Sequence, residues 1–91
     1  MINNYQRTEI IRNLLGLGVK IPFPDAIIIE ENVKIGKGTL ILPNTIIMGE
    51  TKIGEDCVIG PNSYICDTFI GNNTKLNNTQ SFNSEIGSSV T

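Results

Sequence analysis

An aliphatic side chain returns at every sixth position through the middle of the chain, and this period restricts the possible folds most strongly. The recurring residues are Ile29, Ile35, Ile41, Ile47, Ile53, Ile59 and Ile65. Four positions after each comes a small or short residue: Val33, Thr39, Thr45, Thr51, Cys57 and Ser63. Three positions after each, with Glu50 as the exception, stand residues that tolerate a tight corner: Asn32, Gly38, Asn44, Asp56 and Asn62. This unit is the hexapeptide repeat of a parallel β-helix.

A longer period of three hexapeptides predicts the shape of each coil. The segment 34–39 returns 18 residues later as 52–57, and Pro43-Asn44-Thr45 returns as Pro61-Asn62-Ser63. Three straight segments and three corners therefore make one triangular coil, which adds roughly 4.8 Å of height. We predict an all-β fold of about four such coils, whose isoleucines stack into ladders and fill the interior.

One short α-helix is predicted before the repeats, from Asn3 to Leu15. Its apolar residues fall along one side at helical spacing, and two glycines follow it: Ile10, Ile11, Leu14, Leu15, Gly16 and Gly18. Leu17 and Phe23 extend the six-residue spacing back from Ile29, which predicts an irregular opening coil covered by the helix. We therefore divide the chain into a linker helix (residues 1–16) and a β-helix (residues 17–91) that is open at its C-terminal end.

The repeat becomes irregular after Ile65. The step to Ile70 is one residue short, and ten residues separate Leu76 from Ile86, which predicts a bulge or a tightened corner between Thr79 and Glu85. The polar pair Gln80-Ser81 falls where apolar residues are expected, so this coil should be the least stable. Residues 86–91 form a complete hexapeptide, and we expect its upper edge to be covered by further coils or by another subunit.

Composition excludes several classes of function. The net charge is −2 and the lysines are scattered, so we expect no nucleic-acid partner. The apolar runs are too short to cross a bilayer and the N-terminus lacks the features of a secretion signal, so we expect a cytoplasmic protein without a membrane partner. Cys57 should face inward and Cys66 outward, and the sequence has no histidine, so neither a disulfide nor a metal site is predicted.

Longer strings within the repeats resemble one known family. They are Val33-Lys34-Ile35-Gly36-Lys37-Gly38-Thr39, Pro43-Asn44, Ile53-Gly54-Glu55-Asp56-Cys57-Val58-Ile59-Gly60-Pro61-Asn62, and the shortened step Asp67-Thr68-Phe69-Ile70-Gly71. The chain resembles the first coils of the acetyltransferase half of the bifunctional N-acetylglucosamine-1-phosphate uridyltransferase and glucosamine-1-phosphate N-acetyltransferase family, which is related to the UDP-N-acetylglucosamine pyrophosphorylases. This resemblance implies a left-handed β-helix, trimer formation and a transferase ancestry.

The same resemblance implies that the catalytic parts of the family lie outside this sequence. The uridyltransferase domain would precede the helix, and the basic residues and histidine of the acetyltransferase site would lie in coils beyond Thr91. We therefore predict no catalytic, cofactor-binding or metal-binding residues. Phe23 also stands where the family usually has an aspartate before the proline, here Pro24.

Two functional hypotheses remain open from the sequence. The favoured one is a non-catalytic scaffold or fragment that forms a homotrimer through the N-terminal helix and four outward apolar residues: Leu40, Ile46, Val58 and Tyr64. The alternative is an acyltransferase that uses acetyl-CoA on an amino-sugar phosphate at a subunit interface. Ice binding is disfavoured because Thr39, Thr45 and Thr51 belong to the inward set.

Overall fold

The computed structural model describes residues 4–90 as a parallel β-helix preceded by one α-helix. Helix α1 spans Asn4–Gly16, and a 3-10 helix spans Pro24–Ala26. The strands are β1 (Ile27–Ile29), β2 (Lys34–Ile35), β3 (Leu40–Ile41), β4 (Thr45–Met48), β5 (Lys52–Ile53), β6 (Val58–Ile59), β7 (Tyr64–Cys66), β8 (Phe69–Ile70), β9 (Lys75–Leu76), β10 (Gln80–Phe82) and β11 (Glu85–Ile86). The predicted class, a short helix followed by an all-β solenoid, is confirmed.

Three parallel sheets form the sides of a triangular prism. The first sheet contains β1, β4, β7 and β10; the second contains β2, β5, β8 and β11; the third contains β3, β6 and β9. These eleven strands, at three per turn, make between three and four turns of the prism over residues 4–90. Residues 1–3 and Thr91 lie outside the described residues, including the predicted start of the helix at Asn3. The division of the chain at residue 16 stays a prediction.

Stacked isoleucines fill the prism, as the six-residue period predicts. Ile41, Ile47, Ile59 and Ile65 are completely buried, and Ile35, Ile53 and Ile70 are also in the core. The small residues four positions later are buried too: Val33, Thr39, Thr45, Thr51, Cys57 and Ser63. Because each strand is short and alternates inward and outward residues, every turn buries the same positions and leaves the intervening side chains outside.

The opening coil differs from the prediction. Leu17 and Phe23 are 65% and 64% exposed, and Val19 takes an inward position in addition to Ile21, whose inward position agrees with the repeat. Lys20 forms a bridge to Leu40, so residues 19–21 already alternate as a strand does. The proline-initiated 3-10 helix after Phe23 then changes the spacing, which is why counting back by sixes from Ile29 fails.

Helix α1 covers the N-terminal end of the prism. Ile11 and Leu14 are buried in the same cluster as the first isoleucines, whereas Leu15, which the sequence placed in the apolar stripe, is exposed. The Arg7 guanidinium donates hydrogen bonds to the carbonyl oxygens of Ile27 (3.0 Å) and Pro24. The helix is therefore held by both apolar contacts and charge-assisted hydrogen bonds to the first turn.

The backbone conformation at the corners explains why Glu50 is the exception among the corner residues. Gly38, Asn44, Asp56 and Asn62 adopt positive φ, as their position predicts. At the corner containing Glu50, the preceding residue Gly49 has the positive φ (70°) and relieves Glu50 of that conformation. Asn32 also lies in a turn, as its position predicts, although its φ is not positive.

The coils shorten toward the C-terminal end. Paired strands are 18 residues apart at Ile27 and Thr45, 17 apart at Lys52 and Phe69, and 16 apart at Tyr64 and Gln80. Each lost residue comes from a five-residue step whose corner has positive φ, at Asp67, Asn78 and Asn83. The tightened corner predicted between Thr79 and Glu85 is thus confirmed at Asn83.

The shortening places Ser81 in the interior position that isoleucine fills elsewhere. Ser81 pairs with Ile65 in register and is buried, with its Oγ 3.2 Å from the Thr68 Oγ1. A hydrogen bond between two hydroxyls thus replaces aliphatic packing in this coil. Because Ser81 has much less apolar surface to bury than isoleucine, the last coil gains less from the hydrophobic effect.

Buried threonine hydroxyls connect successive coils, with one exception. Thr39 Oγ1 donates to the Gly54 carbonyl (2.8 Å) and accepts from the Cys57 N–H (3.1 Å). Thr45 is equally buried, but its Oγ1 has no hydrogen-bond partner in the described structure. A buried hydroxyl without a partner costs free energy, whereas one with two partners stabilises the fold.

Valine substitutions at these two threonines should therefore have different effects. We expect Thr39→Val to lower the free energy of unfolding by about 1 to 2 kcal/mol, since it leaves the Cys57 N–H without its acceptor. Thr45→Val should leave that free energy unchanged or raise it by up to about 1 kcal/mol. Urea denaturation at equal chain concentration measures both, and a similar loss in the two variants would contradict this account.

Candidate functional site

The outward apolar residues form two columns on two neighbouring sheets. Leu40 pairs in register with Val58 on the third sheet, and Ile46 pairs with Tyr64 on the first sheet. All four side chains are half-buried and point away from the prism interior. The structure therefore brings the four residues together in pairs, on either side of the corner that contains Pro43 and Pro61.

The first sheet carries further outward apolar residues, of which the sequence reasoning placed only Cys66 outward. Ile28, 43% exposed, pairs with Ile46, and a second column contains Met48, Cys66 and Phe82, of which Phe82 is 54% exposed. We refer to Ile28, Ile46, Met48, Tyr64, Cys66 and Phe82 as the apolar face. Cys66 follows Met48 by the regular 18 residues, so the repeat predicts that the two residues are neighbours. Phe82 follows Cys66 by only 16 residues, so its place in the column requires knowledge of the shorter later coils.

Specific contacts order the apolar face. The rings of Tyr64 and Phe82 lie 5.2 Å apart between centroids and are tilted by 35°. The Tyr64 hydroxyl lies 3.3 Å from the Met48 Sδ, so the Tyr64 side chain extends from its own column to the neighbouring one. Aromatic and sulfur contacts of this kind favour one arrangement of these side chains.

The second sheet presents a different surface, with a shallow cleft of about 480 Å³. Its outward column reads Lys34, Lys52, Phe69 and Glu85. The cleft is lined by the two lysines, by Glu55 and Asn72, and by the backbone around Gly36 and Gly54. It is the polar counterpart of the apolar face on the opposite side of the corner at Glu50.

Comparisons with known proteins identify the repeat. Residues 32–67 match the model of the bacterial transferase hexapeptide, described as six repeats. The chain is 47% identical over 85 residues to the bifunctional protein GlmU of Geobacillus sp. (strain WCH70), which covers 93% of this chain and 18% of that protein. It is 49% identical over 73 residues to GlmU of Caldanaerobacter subterraneus subsp. tengcongensis, covering 80% of this chain and 16% of that protein.

This chain is a hexapeptide-repeat module related to GlmU. A third relative, GlmU of Thermotoga maritima, is 42% identical over 84 residues, which cover 92% of this chain and 19% of that protein. The chain thus spans less than a fifth of the length of these curated relatives. The hexapeptide match, together with the three parallel sheets, identifies the solenoid as a left-handed β-helix. The family resemblance seen in the sequence is confirmed.

The carboxylates of the hexapeptide-repeat module tie corners to one another. Glu30 Oε1 accepts a hydrogen bond from the Gly49 N–H (2.8 Å), and Asp67 Oδ1 accepts one from the Glu50 N–H (2.8 Å). The Asn32 amide donates to Glu50 Oε1 at 3.4 Å. Each contact joins one coil to the next, and the Glu30 and Asp67 carboxylates satisfy backbone N–H groups that lie outside the strand pairs.

The two cysteines of the module are free thiols with different surroundings. Cys57 lies in the core, as its repeat position predicts, and its Sγ is 3.1 Å from the Gly71 carbonyl oxygen. Cys66 belongs to the apolar face, where burial raises the pKa of its thiol and the Asp67 carboxylate raises it further. A thiol with a raised pKa is a poor nucleophile at neutral pH because little thiolate is present.

Within residues 4–90, no group of three or more histidine, cysteine, aspartate and glutamate residues is placed to hold a metal ion. No helix in that range has the length and apolar character required to cross a membrane. The sequence assigned no catalytic or cofactor-binding residue, and that assignment stays a prediction. The predicted role of α1 in assembly also stays a prediction, although Ile11 and Leu14 are already buried against the prism.

Proposed function

We propose that this module is a non-catalytic assembly scaffold that forms a homotrimer. The observation that supports this most strongly is the pair of outward apolar columns on two sheets that share a corner. Monomeric proteins rarely expose a large contiguous apolar patch, and such a patch usually marks an interface. The occupant we propose is a second copy of the chain, which offers the matching column on its own neighbouring sheet.

The arrangement favours a ring rather than a pair. Leu40 and Val58 of one copy would contact the apolar face of the next, so each copy uses two different surfaces. Contacts between two different surfaces are heterologous, and they generate a closed ring when the rotation closes. The ring size of three comes from the family resemblance, and the parallel prisms would stand side by side around the axis.

A catalytic role for the described residues has little chemical support. Acyl transfer to an amine needs a base near the amine and a donor for the developing oxyanion. This sequence has no histidine, and Glu30 and Asp67 already accept backbone hydrogen bonds. The Cys66 thiol is held protonated by its raised pKa. GlmU is bifunctional by its name, and neither activity is assigned to this chain.

Sedimentation equilibrium tests the proposal directly. We expect the purified chain to have three times its 9.9 kDa mass at micromolar concentration. Ile46→Asp places a charge in the contact and should give a monomer with an unchanged far-ultraviolet circular dichroism spectrum, and Tyr64→Asp should do the same. A wild-type mass of one chain would overturn the assembly proposal.

Matched controls separate the interface from the rest of the surface. Phe69 is an exposed apolar residue on the second sheet, so Phe69→Asp should keep the mass of the trimer. In a parallel assay, no product is expected from acetyl-CoA and glucosamine 1-phosphate. Acetyl transfer by the purified chain would overturn the non-catalytic part of the proposal and favour the acyltransferase alternative.

A further inference from the structure

The outward column of the third sheet carries a lysine at each end. From the first coil to the last, its residues are Lys20, Leu40, Val58 and Lys75. The two middle side chains are half-buried, whereas both lysines are exposed. In the part of the chain that the structure describes, residues 4–90, the ion pair that forms lies on the helix, so neither lysine has a carboxylate partner there. The column is therefore apolar in the middle and positively charged at both ends.

A carboxylate lies at the lower end of the apolar face on the first sheet. The Glu30 N–H donates to the Ile47 carbonyl oxygen, so the register of β1 with β4 continues and Glu30 lies outward below Met48. Its Oε1 accepts a hydrogen bond from the Gly49 N–H, and a carboxylate has a second oxygen that can accept another. A negative charge is thus held in place at the height of the first coil.

An aromatic pair lies at the upper end of the same face. Phe82 is 54% exposed, and the centroid of its ring lies 5.2 Å from that of Tyr64. Phe82 belongs to the same coil as Lys75, because β10 follows β9 directly along the chain. The electron-rich face of an aromatic ring attracts a cation. The two ends of the apolar face therefore each carry a group that attracts an ammonium ion.

The rotation that relates the copies of the proposed trimer brings equal heights together. Copies in a closed ring turn about one axis, so prisms parallel to that axis stand side by side without a shift along it. Where the third sheet of one copy faces the first sheet of the next, Lys20 lies at the height of Glu30. At the other end of the prism, Lys75 lies at the height of Phe82.

From this match we propose that Lys20 and Lys75 of one copy bind the first sheet of the next copy and set the register of the ring. The inference rests on the proposed trimer. The Lys20 ammonium pairs with the Glu30 carboxylate, and the Lys75 ammonium lies over the rings of Tyr64 and Phe82. Apolar contacts alone are non-directional and would let one prism slide along the other, whereas two polar contacts at opposite ends fix its height.

The same lysines disfavour a dimer with a two-fold axis. Two third sheets that face each other with their columns aligned would bring the lysines of one copy against the lysines of the other, in either orientation of the prisms. Like charges in contact repel, so the third sheet is penalised against itself and stabilised against the first sheet of another copy. The column therefore selects a partner surface of different chemistry, as a ring requires.

Double-mutant cycles on the assembled chain test both contacts. Sedimentation over a series of dilutions gives the concentration at which half of the chains are assembled. Lys20→Gln and Lys75→Gln should each raise that concentration by about twofold to tenfold, since every copy loses one contact. Glu30→Gln keeps an oxygen for the Gly49 N–H, and Lys20→Gln added to it should have little further effect. Lys75→Gln should likewise have little effect when added to Phe82→Leu.

Controls distinguish these contacts from general charge effects and from the trimer itself. Lys34→Gln removes an exposed lysine of the second sheet and should leave the half-assembly concentration unchanged. Lys20→Gln combined with Phe82→Leu changes opposite ends of the contact, and the two effects should add. A trimeric wild type in which both matched pairs are also additive would overturn the lysine contacts and leave the trimer standing. A wild-type mass of one chain would overturn both proposals.

Discussion

Replacing Ile47 with alanine is expected to lower the free energy of unfolding by about 3 kcal/mol. Ile47 is completely buried at the centre of the first sheet, where it pairs in register with Ile29 below and Ile65 above. The neighbouring coils are fixed by their own hydrogen bonds and cannot close the space that alanine leaves. The cost therefore combines the lost burial of the side chain with the cavity that remains.

The adjacent residue provides the matched control for Ile47. Ile46 is the same residue type on the same strand, but it faces outward and is only half-buried. In a variant background that is already monomeric through Tyr64→Asp, Ile46→Ala should change the free energy of unfolding by less than about 1 kcal/mol. Chemical denaturation measures both, and equal losses at the two positions would show that the inward and outward assignments are wrong.

Replacing Gly49 with alanine is the second substitution with a large expected effect. Gly49 has a φ of 70°, and an added Cβ would overlap the Asp67 carboxylate. That carboxylate accepts the hydrogen bond from the Glu50 N–H, so the overlap displaces a contact between two coils. Backbone strain and the lost hydrogen bond together should lower the free energy of unfolding by about 2 to 3 kcal/mol.

Gly87 is the control for this substitution. An alanine Cβ there would meet no atom within 4 Å, and its backbone does not have positive φ. Gly87→Ala should leave the melting temperature unchanged or raise it slightly, because alanine restricts the unfolded chain. Differential scanning calorimetry compares the two variants, and an unchanged melting temperature for Gly49→Ala would contradict the role assigned to that corner.

The regular coils could be predicted from the sequence because one physical requirement repeats in each of them. Each short strand must bury one side chain in a narrow interior, and isoleucine at a six-residue period meets that requirement from Ile29 to Ile65. The five-residue step after Ile65 was also visible, because Ile70 keeps the pattern one residue early.

The irregular parts could not be predicted from the same period. Leu17 and Phe23 have the expected spacing but are exposed, since the helix and the prolines determine how the chain enters the prism. The polar pair Gln80-Ser81 falls where apolar residues are expected, but the period does not show that Ser81 is the buried one or that its hydroxyl bonds to Thr68, 13 positions away. The repeat alone assigns the corner position, where most coils have a positive φ, to Glu50, but the preceding residue Gly49 adopts the positive φ there.

The candidate surface was predicted only in part. The alternation of inward and outward residues identified Leu40, Ile46, Val58 and Tyr64 from the repeat. The outward position of Cys66 was also predicted, and Met48 lies one regular 18-residue offset before it, but the place of Phe82 in the same column depends on the 16-residue offset of the upper coils. The cleft at Lys34 and Lys52 was not found from the sequence, although the 18-residue offset between the two lysines is visible there.

Isotope-filtered nuclear Overhauser measurements on a mixture of differently labelled chains test the assembly most directly. We predict contacts between the methyl groups of Leu40 or Val58 in one chain and the side chains of Ile46 or Tyr64 in another. Contacts between chains that instead involve Phe69 and Lys52 on the second sheet, or a complete lack of contacts between chains, would contradict it.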